Sequence, residues 1–462
     1  MTETFDMLFL ARVQFGFTIA FHILFPSFTI GLASYLVVLE ALWLRSGKAV
    51  YRRLYDFWLR MFALSFGMGV VSGIVLSYQI GTNWSRFSSS TGNVLGPLLG
   101  YEVLIAFFLE ASFLGVMLFG RERVSKGVHL FSTLMVAVGT LMSAFWILAA
   151  NSWMQTPAGY RLEDGVFYAV DWMEVVFNPS MPYRVIHMVL ACYLASAMAV
   201  AAVGAFHLLR KPDSPGGAIM LRMALPFIAV VTLLQITAGH EHGINVHQHQ
   251  PAKLAAMEGH WQTHERAAPL ILFAWPDDEA EKNHWELSVP AIGSLVVTGS
   301  LDGGIQGLKS WPAEQRPPVL PVFWGFRIMV GLGLLLLGIG LFGSWLLWRR
   351  QLSQRPWFLR LCVFSAPAGF LAIIAGWIVA EVGRQPYVVY GLLRTADAVS
   401  PVTRDAVGLS LIVYLAVYGV VFSAGLYYLL TVARRGPDGD DQAGEQEMPM
   451  TTWFHRLNGR SG

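Results

Sequence analysis

Residues 375–387 read AGWIVAEVGRQPY and close an apolar run that begins near residue 358. A run of about 20 apolar residues is long enough to cross a bilayer as a helix. One carboxylate, Glu381, stands in the last turn of that run. An ionisable group at membrane depth is costly, and its default reading is functional. Three residues on, Arg384 places a permanent cation at the rim, and Pro386 forbids the helix to continue. This stretch therefore ends a membrane helix and offers a paired charge to some negative or electrophilic object.

The rest of the chain agrees with a membrane class. It has 462 residues, 55% hydrophobic and 13% charged, where a soluble domain carries about 25% charged residues. The net charge of +2 gives no argument for nucleic acid. The two cysteines, Cys192 and Cys362, lie in apolar runs, so neither a disulfide framework nor a cysteine-based metal site is expected. The N-terminus, MTETFDMLFLAR, is acidic and lacks a basic n-region and a small-residue cleavage site, so no cleaved signal peptide is expected.

Nine runs read as spans, at 15–44, 57–80, 95–119, 128–150, 185–209, 219–239, 323–348, 358–382 and 407–432. Pro26 in the first suggests a kink or tilt. No internal repeat is evident, which weighs against an inverted-repeat transporter. Lys and Arg crowd the loops after spans 1, 3, 5 and 7 and the start of the tail. The N-terminus is therefore expected outside and the C-terminus inside. Arg384, Arg394 and Arg404 break that rule on the outer side and suggest an anionic partner there. The expected fold is an all-α polytopic membrane protein of about nine transmembrane helices with one large outer loop. Helices 1–6 occupy residues 1–240, the outer loop 241–322 and helices 7–9 residues 323–433; 434–462 form an acidic, Gly-rich tail expected to be disordered.

With this orientation, four groups share the depth of the outer leaflet. His22 lies two turns into span 1, His187 in the first turn of span 5, Met329 two turns into span 7, and Glu381 in the last turn of span 8. His and Met form an axial pair for low-spin haem iron, and a lone His or carboxylate can hold a five-coordinate haem. The plainer alternatives are a histidine hydrogen-bonded to its neighbour helix and a methionine that only packs. Span 3 carries Glu102 and Glu110, about 12 Å apart along an ideal helix. With Ser143 and Asn151 on span 4 they suit a proton relay, or else structural ion pairs with arginines. The outer loop holds His240, His242, His247, His249, His260, His264 and His284, at spacings that fit no strong Zn or Cu motif. Lys253 and Glu258, in PAKLAAMEGHW, suit a polar head group, although residue physics alone reads them as solvated surface.

At this point the residues match a family. The chain resembles subunit I of the cytochrome bd-type quinol oxidases over nearly its whole length. The stretches that carry this are RVQFGFTIAFHILFPSFTIGL, GTNWS, EVLIAFFLEASFLG, SAFWILAANSWMQ, NPSMPYRVIHMV, PAKLAAMEGHWQT, FRIMVGLG and GWIVAEVGRQPY. The resemblance implies that His187 and Met329 ligate a low-spin haem b. It implies that His22 and Glu381 ligate the two high-spin haems of the oxygen site, one each. Arg327, Trp377 and Arg384 would surround the haems, with the arginines facing propionates. Lys253 and Glu258 would belong to the quinol site, and Glu102, Glu110 and Ser143 to the proton route. The implied cofactors are two b-type haems and one haem d, or a third b-type haem. The implied partners are quinol, dioxygen, the lipid bilayer, a second membrane subunit in a heterodimer and often a small third one, with no nucleic acid. The implied location is the bacterial inner membrane, as a multi-pass protein of the respiratory chain. The implied activity is quinol:oxygen oxidoreduction that builds a proton motive force without a pump. Two departures stand out. The outer loop is of the short form, and Tyr387 replaces the Trp of many members, which resembles the cyanide-insensitive branch. Two rival classes are a haem-bearing quinone oxidoreductase that does not use oxygen and a haem-free ion-coupled transporter.

Overall fold

The structure, a computed structural model, describes residues 2–437. The expected tail therefore lies outside the described residues from 438 onward. In chain order the elements are α1 Thr2–Ser46, α2 Ala49–Thr82, α3 Ser85–Tyr101, a π-helical turn Glu102–Phe107, α4 Phe108–Phe119 and α5 Lys126–Gln155. They continue with β1 Tyr160–Glu163, β2 Val166–Ala169, α6 Trp172–Val176, α7 Met181–Arg210, α8 Pro215–His249 and α9 Pro251–Glu258. Next are β3 Leu270–Asp277, β4 Lys282–Val289, α10 Ile292–Thr298, α11 Val319–Trp348, α12 Pro356–Phe364 and α13 Ala368–Val382. The chain ends with β5 Tyr387–Val389, β6 Leu393–Arg394, α14 Thr395–Ala398 and α15 Arg404–Arg435. Among the described residues, nine helical segments are long and apolar enough to cross a membrane, one for each run read from the sequence. Hydrocarbon offers no partner to a bare N–H or C=O, so runs this apolar close their backbone bonds within the helix.

Three details depart from the expected spans. The run at 358–382 is two helices, because Pro367 ends the first turn-by-turn ladder and α13 restarts at Ala368. The third run is interrupted by the π-turn at Glu102–Phe107. α8 continues to His249, ten residues past the expected end at 239. Pro26, by contrast, lies inside α1 without ending it.

Lipid tails are as apolar as leucine, so membrane helices associate through close approach. Gly340 of α11 meets α8 so tightly that a Cβ there would lie 2.5 Å from Ala229 N. Gly369 of α13 meets α7 with its Cβ position 2.5 Å from Ala195 Cα. The largest core, with Leu36, Tyr55, Trp58, Phe62, Met198, Leu221 and Phe358, fills one end of the bundle. The other end is closed by a cap, residues 250–318. It contains α9, the antiparallel hairpin β3–β4, α10 and the bridge between His264 and Ile305. A polar set ties α1, α2 and α15 together: Gln79 Nε2 donates to Thr18 Oγ1 at 2.7 Å and Asn83 Nδ2 to Gln14 Oε1 at 3.0 Å, while Gln14 also bonds Ser410 at 3.2 Å.

Candidate functional site

Glu381 sits at the end of α13 in a crowd of donors. Asn151 Nδ2 donates to its Oε1 at 3.0 Å and Gln155 Nε2 at 3.3 Å, both from the last turns of α5. Arg384 donates to Oε2, and Arg184 of α7 lies 4.0 Å from Oε1 while donating to Asn151 Oδ1. Lys253 of α9 donates to Gln155 Oε1 at 2.6 Å and to Gln250 Oε1. Arg184, Arg384 and Lys253 are all buried, at 7%, 5% and 2% exposure, around this one carboxylate. Burial, reinforced by Arg184 and Arg384, holds the Lys253 ammonium well below its ordinary value. Burial likewise lowers Arg384, with Glu381 opposing. Arg184 Nε and both Arg384 Nε and Nη1 have no hydrogen-bond partner among the described residues. Buried charge is stable only when paired and hydrogen-bonded. The surplus of cationic N–H groups therefore describes a seat for an anionic group.

His22, His187 and Met329 share a second feature. Each rests against a glycine of a neighbouring helix. A Cβ at Gly73 would lie 3.1 Å from His22 Cε1, one at Gly239 3.1 Å from His187 Cε1, and one at Gly376 2.8 Å from Met329 Sδ. Sequence reading did not single out these glycines. His22 Nδ1 is 3.0 Å from Ser72 Oγ, whose own hydroxyl lies 2.9 Å from the Met68 carbonyl and 3.0 Å from that of Gly69. The serine proton goes to a carbonyl, so its oxygen accepts from His22 Nδ1–H. That fixes the tautomer with a lone pair on Nε2. His187 Nε2 is 3.2 Å from the Gln235 side-chain amide, and its Nδ1 has no partner among the described residues. Its ring lies edge-to-face with His242, centroids 5.7 Å apart.

Ser143 donates to Glu102 Oε1 at 2.6 Å. Glu110 is buried and packs on Gly139, where a Cβ would lie 2.5 Å from Glu110 Cγ. Both carboxylates thus face α5, where their contacts Ser143 and Gly139 are about one turn apart. The π-turn at Glu102–Phe107, with its i→i+5 bonds, lies between the two carboxylates.

Lys253 and Glu258 are not solvated surface; they are 2% and 4% exposed. They point to different neighbours. Lys253 joins the Glu381 crowd, whereas Glu258 pairs with Arg327 at 3.1 Å. Arg327 spends its fork within the protein, on the Ile271 carbonyl at 2.6 and 2.9 Å and the Met257 carbonyl at 3.0 Å, and stacks 4.5 Å from the Phe323 ring. Trp377 is half-buried on α13 beside Gly376. Of the histidines read as a loop cluster, His240, His242, His247 and His249 belong to the last turns of α8. Among the described residues no group of three or more His, Cys, Asp or Glu is placed to hold a metal ion.

A family model described as cytochrome bd terminal oxidase subunit I matches residues 10–437. The chain belongs to this family. It is 34% identical to the cytochrome bd-II ubiquinol oxidase subunit 1 of Escherichia coli, over 94% of this chain and 97% of that protein. It is also 34% identical to the cytochrome bd ubiquinol oxidase subunit 1 of Bacillus subtilis, over 96% and 97%. Among solved structures, the bd oxidase from Geobacillus thermodenitrificans superposes with a TM-score of 0.88 at 29% identity, covering 94% of this chain and all of that one. Membership in the bd oxidase family implies haem cofactors. The donor set fits them: an imidazole with its Nε2 free, a thioether and a second imidazole seated on glycines, and arginine N–H groups awaiting an anion.

The bd-type chain also contains groups that sequence reading missed. Gln155 and Gln250 link Glu381 to Lys253, and Ser72 orients His22. At the far end of the bundle, Glu40 is 1% exposed, 2.5 Å from His129 Nδ1 and 2.7 Å from Thr133 Oγ1. The signal for Glu40 was available, a single carboxylate in LVVLEALW, and the rule applied to Glu381 applies to it equally.

Proposed function

We propose that this chain is the haem-bearing subunit I of a terminal quinol oxidase in a bacterial cytoplasmic membrane. Quinol is oxidised at the cap face, taken as the outer face from the loop charges, and dioxygen is reduced to water with protons drawn from the opposite side. The observation that carries this reading is the seating of His22, His187 and Met329, each on a glycine of the neighbouring helix. Three iron-competent side chains are held in this way on three different helices.

In this reading His187 and Met329 hold the low-spin haem b, and His22 and Glu381 hold one haem each at the oxygen site. The set is two b-type haems with one haem d, or with a third b-type haem. Bound there, haem supplies the one-electron steps between quinol and dioxygen. The protein's share is orientation and charge. Ser72 presents His22 through its Nε2. Arg184 and Arg384 would neutralise carboxylates of the bound group, and Glu381, now paired with Arg384, would hold iron. Trp377 lines the same face of α13, and Arg327 secures the base of the cap rather than reaching far from it. Lys253 and Glu258, one on each side of α9, bound the quinol site. Glu102, Ser143 and Glu110 pass protons along α5.

Electrons arriving from one face and protons from the other move charge across the membrane without a pump. A second membrane subunit completes the complex as a heterodimer, and a small third one often joins in this family. The lightly covered faces of Ser85–Phe119 and Arg404–Arg435, 17% buried each, suit lipid and that partner. Reduced-minus-oxidised absorption and quinol-driven oxygen uptake of the purified complex test the proposal together. Haem bands with oxygen uptake are expected. Haem bands without oxygen uptake would mean another quinone oxidoreductase, and no haem bands a transporter.

A further inference from the structure

His260 is a buried group for which the site described above has no use. It follows Gly259, which ends α9 at φ +74, and its N–H and C=O are taken by the Ala255 carbonyl at 2.9 Å and the Leu308 amide at 2.9 Å. The side chain is 1% exposed, and neither Nδ1 nor Nε2 has a hydrogen-bond partner among the described residues. Its surroundings are the apolar core of the cap, with Leu254, Trp261, Ala268, Ile305 and Leu308. A buried imidazole that makes no well-formed hydrogen bond, with only the Pro269 carbonyl acting on it, is a cost that folding alone does not justify.

Two neighbours give it a direction. On one side are Glu258, two residues back, and Arg327, which pairs with Glu258 at 3.1 Å. On the other is His264, half-buried, its ring edge-to-face with His260 at 4.9 Å between centroids. The residues around His264 (Gln262, Thr263, Glu265 and Arg266) are exposed. An imidazole pair thus runs from the buried side of α9 to the surface of the cap.

We propose that His260 accepts a proton from a quinol hydroxyl and that His264 carries it to the outer surface. The inference rests on the reading of Lys253 and Glu258 as the quinol site. In the step, the quinol O–H bond breaks and an N–H bond forms on one ring nitrogen of His260. The proton on the other nitrogen leaves to His264 and then to water. The second hydroxyl's proton leaves by the same relay once His260 has returned to its starting tautomer, and the two electrons of the quinol pass to the oxidase's own redox centres, with dioxygen as the final oxidant. Burial, His264 and Arg327, opposed by the Pro269 carbonyl, lower His260 to about 4. The ring is therefore neutral and open to a proton at working pH, and gives it up readily. Arg327, itself paired with Glu258, and His264 are the charged and titratable groups that act on it.

The test uses the purified complex and a short-chain ubiquinol. His260→Ala is expected to lower quinol-driven oxygen uptake by about 10²- to 10⁴-fold, the usual worth of a positioned proton acceptor. The dithionite-reduced haem spectrum should be unchanged and part of the rate restored by added imidazole. His260→Gln fills the space with a polar side chain that carries no proton, so it is expected to be as slow as the alanine variant. His264→Ala should slow uptake more at low pH than at high pH, where solvent bases reach further. A glutamine variant at full rate, or a His264 variant with the parental rate at every pH, overturns the relay. If both histidine variants are fast while Lys253→Met has lost uptake, the relay alone is wrong. If Lys253→Met is fast as well, the quinol site itself is misplaced.

Discussion

Gly376→Ala separates a ligand seat from ordinary packing. The added Cβ would lie 2.8 Å from Met329 Sδ. Comfortable contacts between such atoms are about 3.5–4.0 Å, so the sulfur must retreat by roughly 1 Å. The cost to the fold is small. The clashing atom is the end of a flexible side chain, which places the strain near the low end of about 1–3 kcal/mol for an overpacked site. Alanine in a helix interior returns about 1 kcal/mol relative to glycine. Net stability should therefore change little. Function should not be spared, because productive site geometry tolerates only about 0.5 Å. The assay is the reduced-minus-oxidised spectrum of the purified complex beside its thermal midpoint. The expected result is loss of the low-spin haem signal at a near-parental midpoint, matched by Met329→Leu. Gly331→Ala, on the same helix as Met329 and with nothing within 4 Å of the new Cβ, is the control and should look parental. An unchanged low-spin spectrum in Gly376→Ala would refute the seat, and one in Met329→Leu the ligand.

Ser143→Ala removes the 2.6 Å bond to Glu102 and should slow oxygen uptake by about 10-fold or more with the haem spectrum intact, as read in steady-state turnover. Arg327→Leu leaves Glu258 buried without its cation, which should cost about 3–5 kcal/mol and expose the cap to limited proteolysis; a parental melting curve would count against the pairing. Lys253 gives a pH dependence of defined sign. Its folded value lies below 10.5, so the unfolded cap binds that proton more tightly and stability rises with pH up to that value. Thermal melts across the alkaline range should show the rise, and Lys253→Met should flatten it.

What the sequence determined by itself was the class of solvent and the inventory of groups. The nine spans follow from run length, because hydrocarbon forces each apolar run into a helix whatever its neighbours are. Glu381, His22 and His187 were legible because a polar group in such a run is conspicuous, and the ordered motifs placed the chain in its family. Whether Lys253 and Glu258 were solvated could not be read, since eight residues between two helices carry no record of what covers them; only the packed cap buries them. The π-turn after Tyr101 was hidden too, because its i→i+5 geometry leaves no pattern in the residues. The glycine seats at Gly73, Gly239 and Gly376 required three pairs of helices to meet. A glycine states only that space exists beside it, and the tertiary structure decides which side chain takes that space.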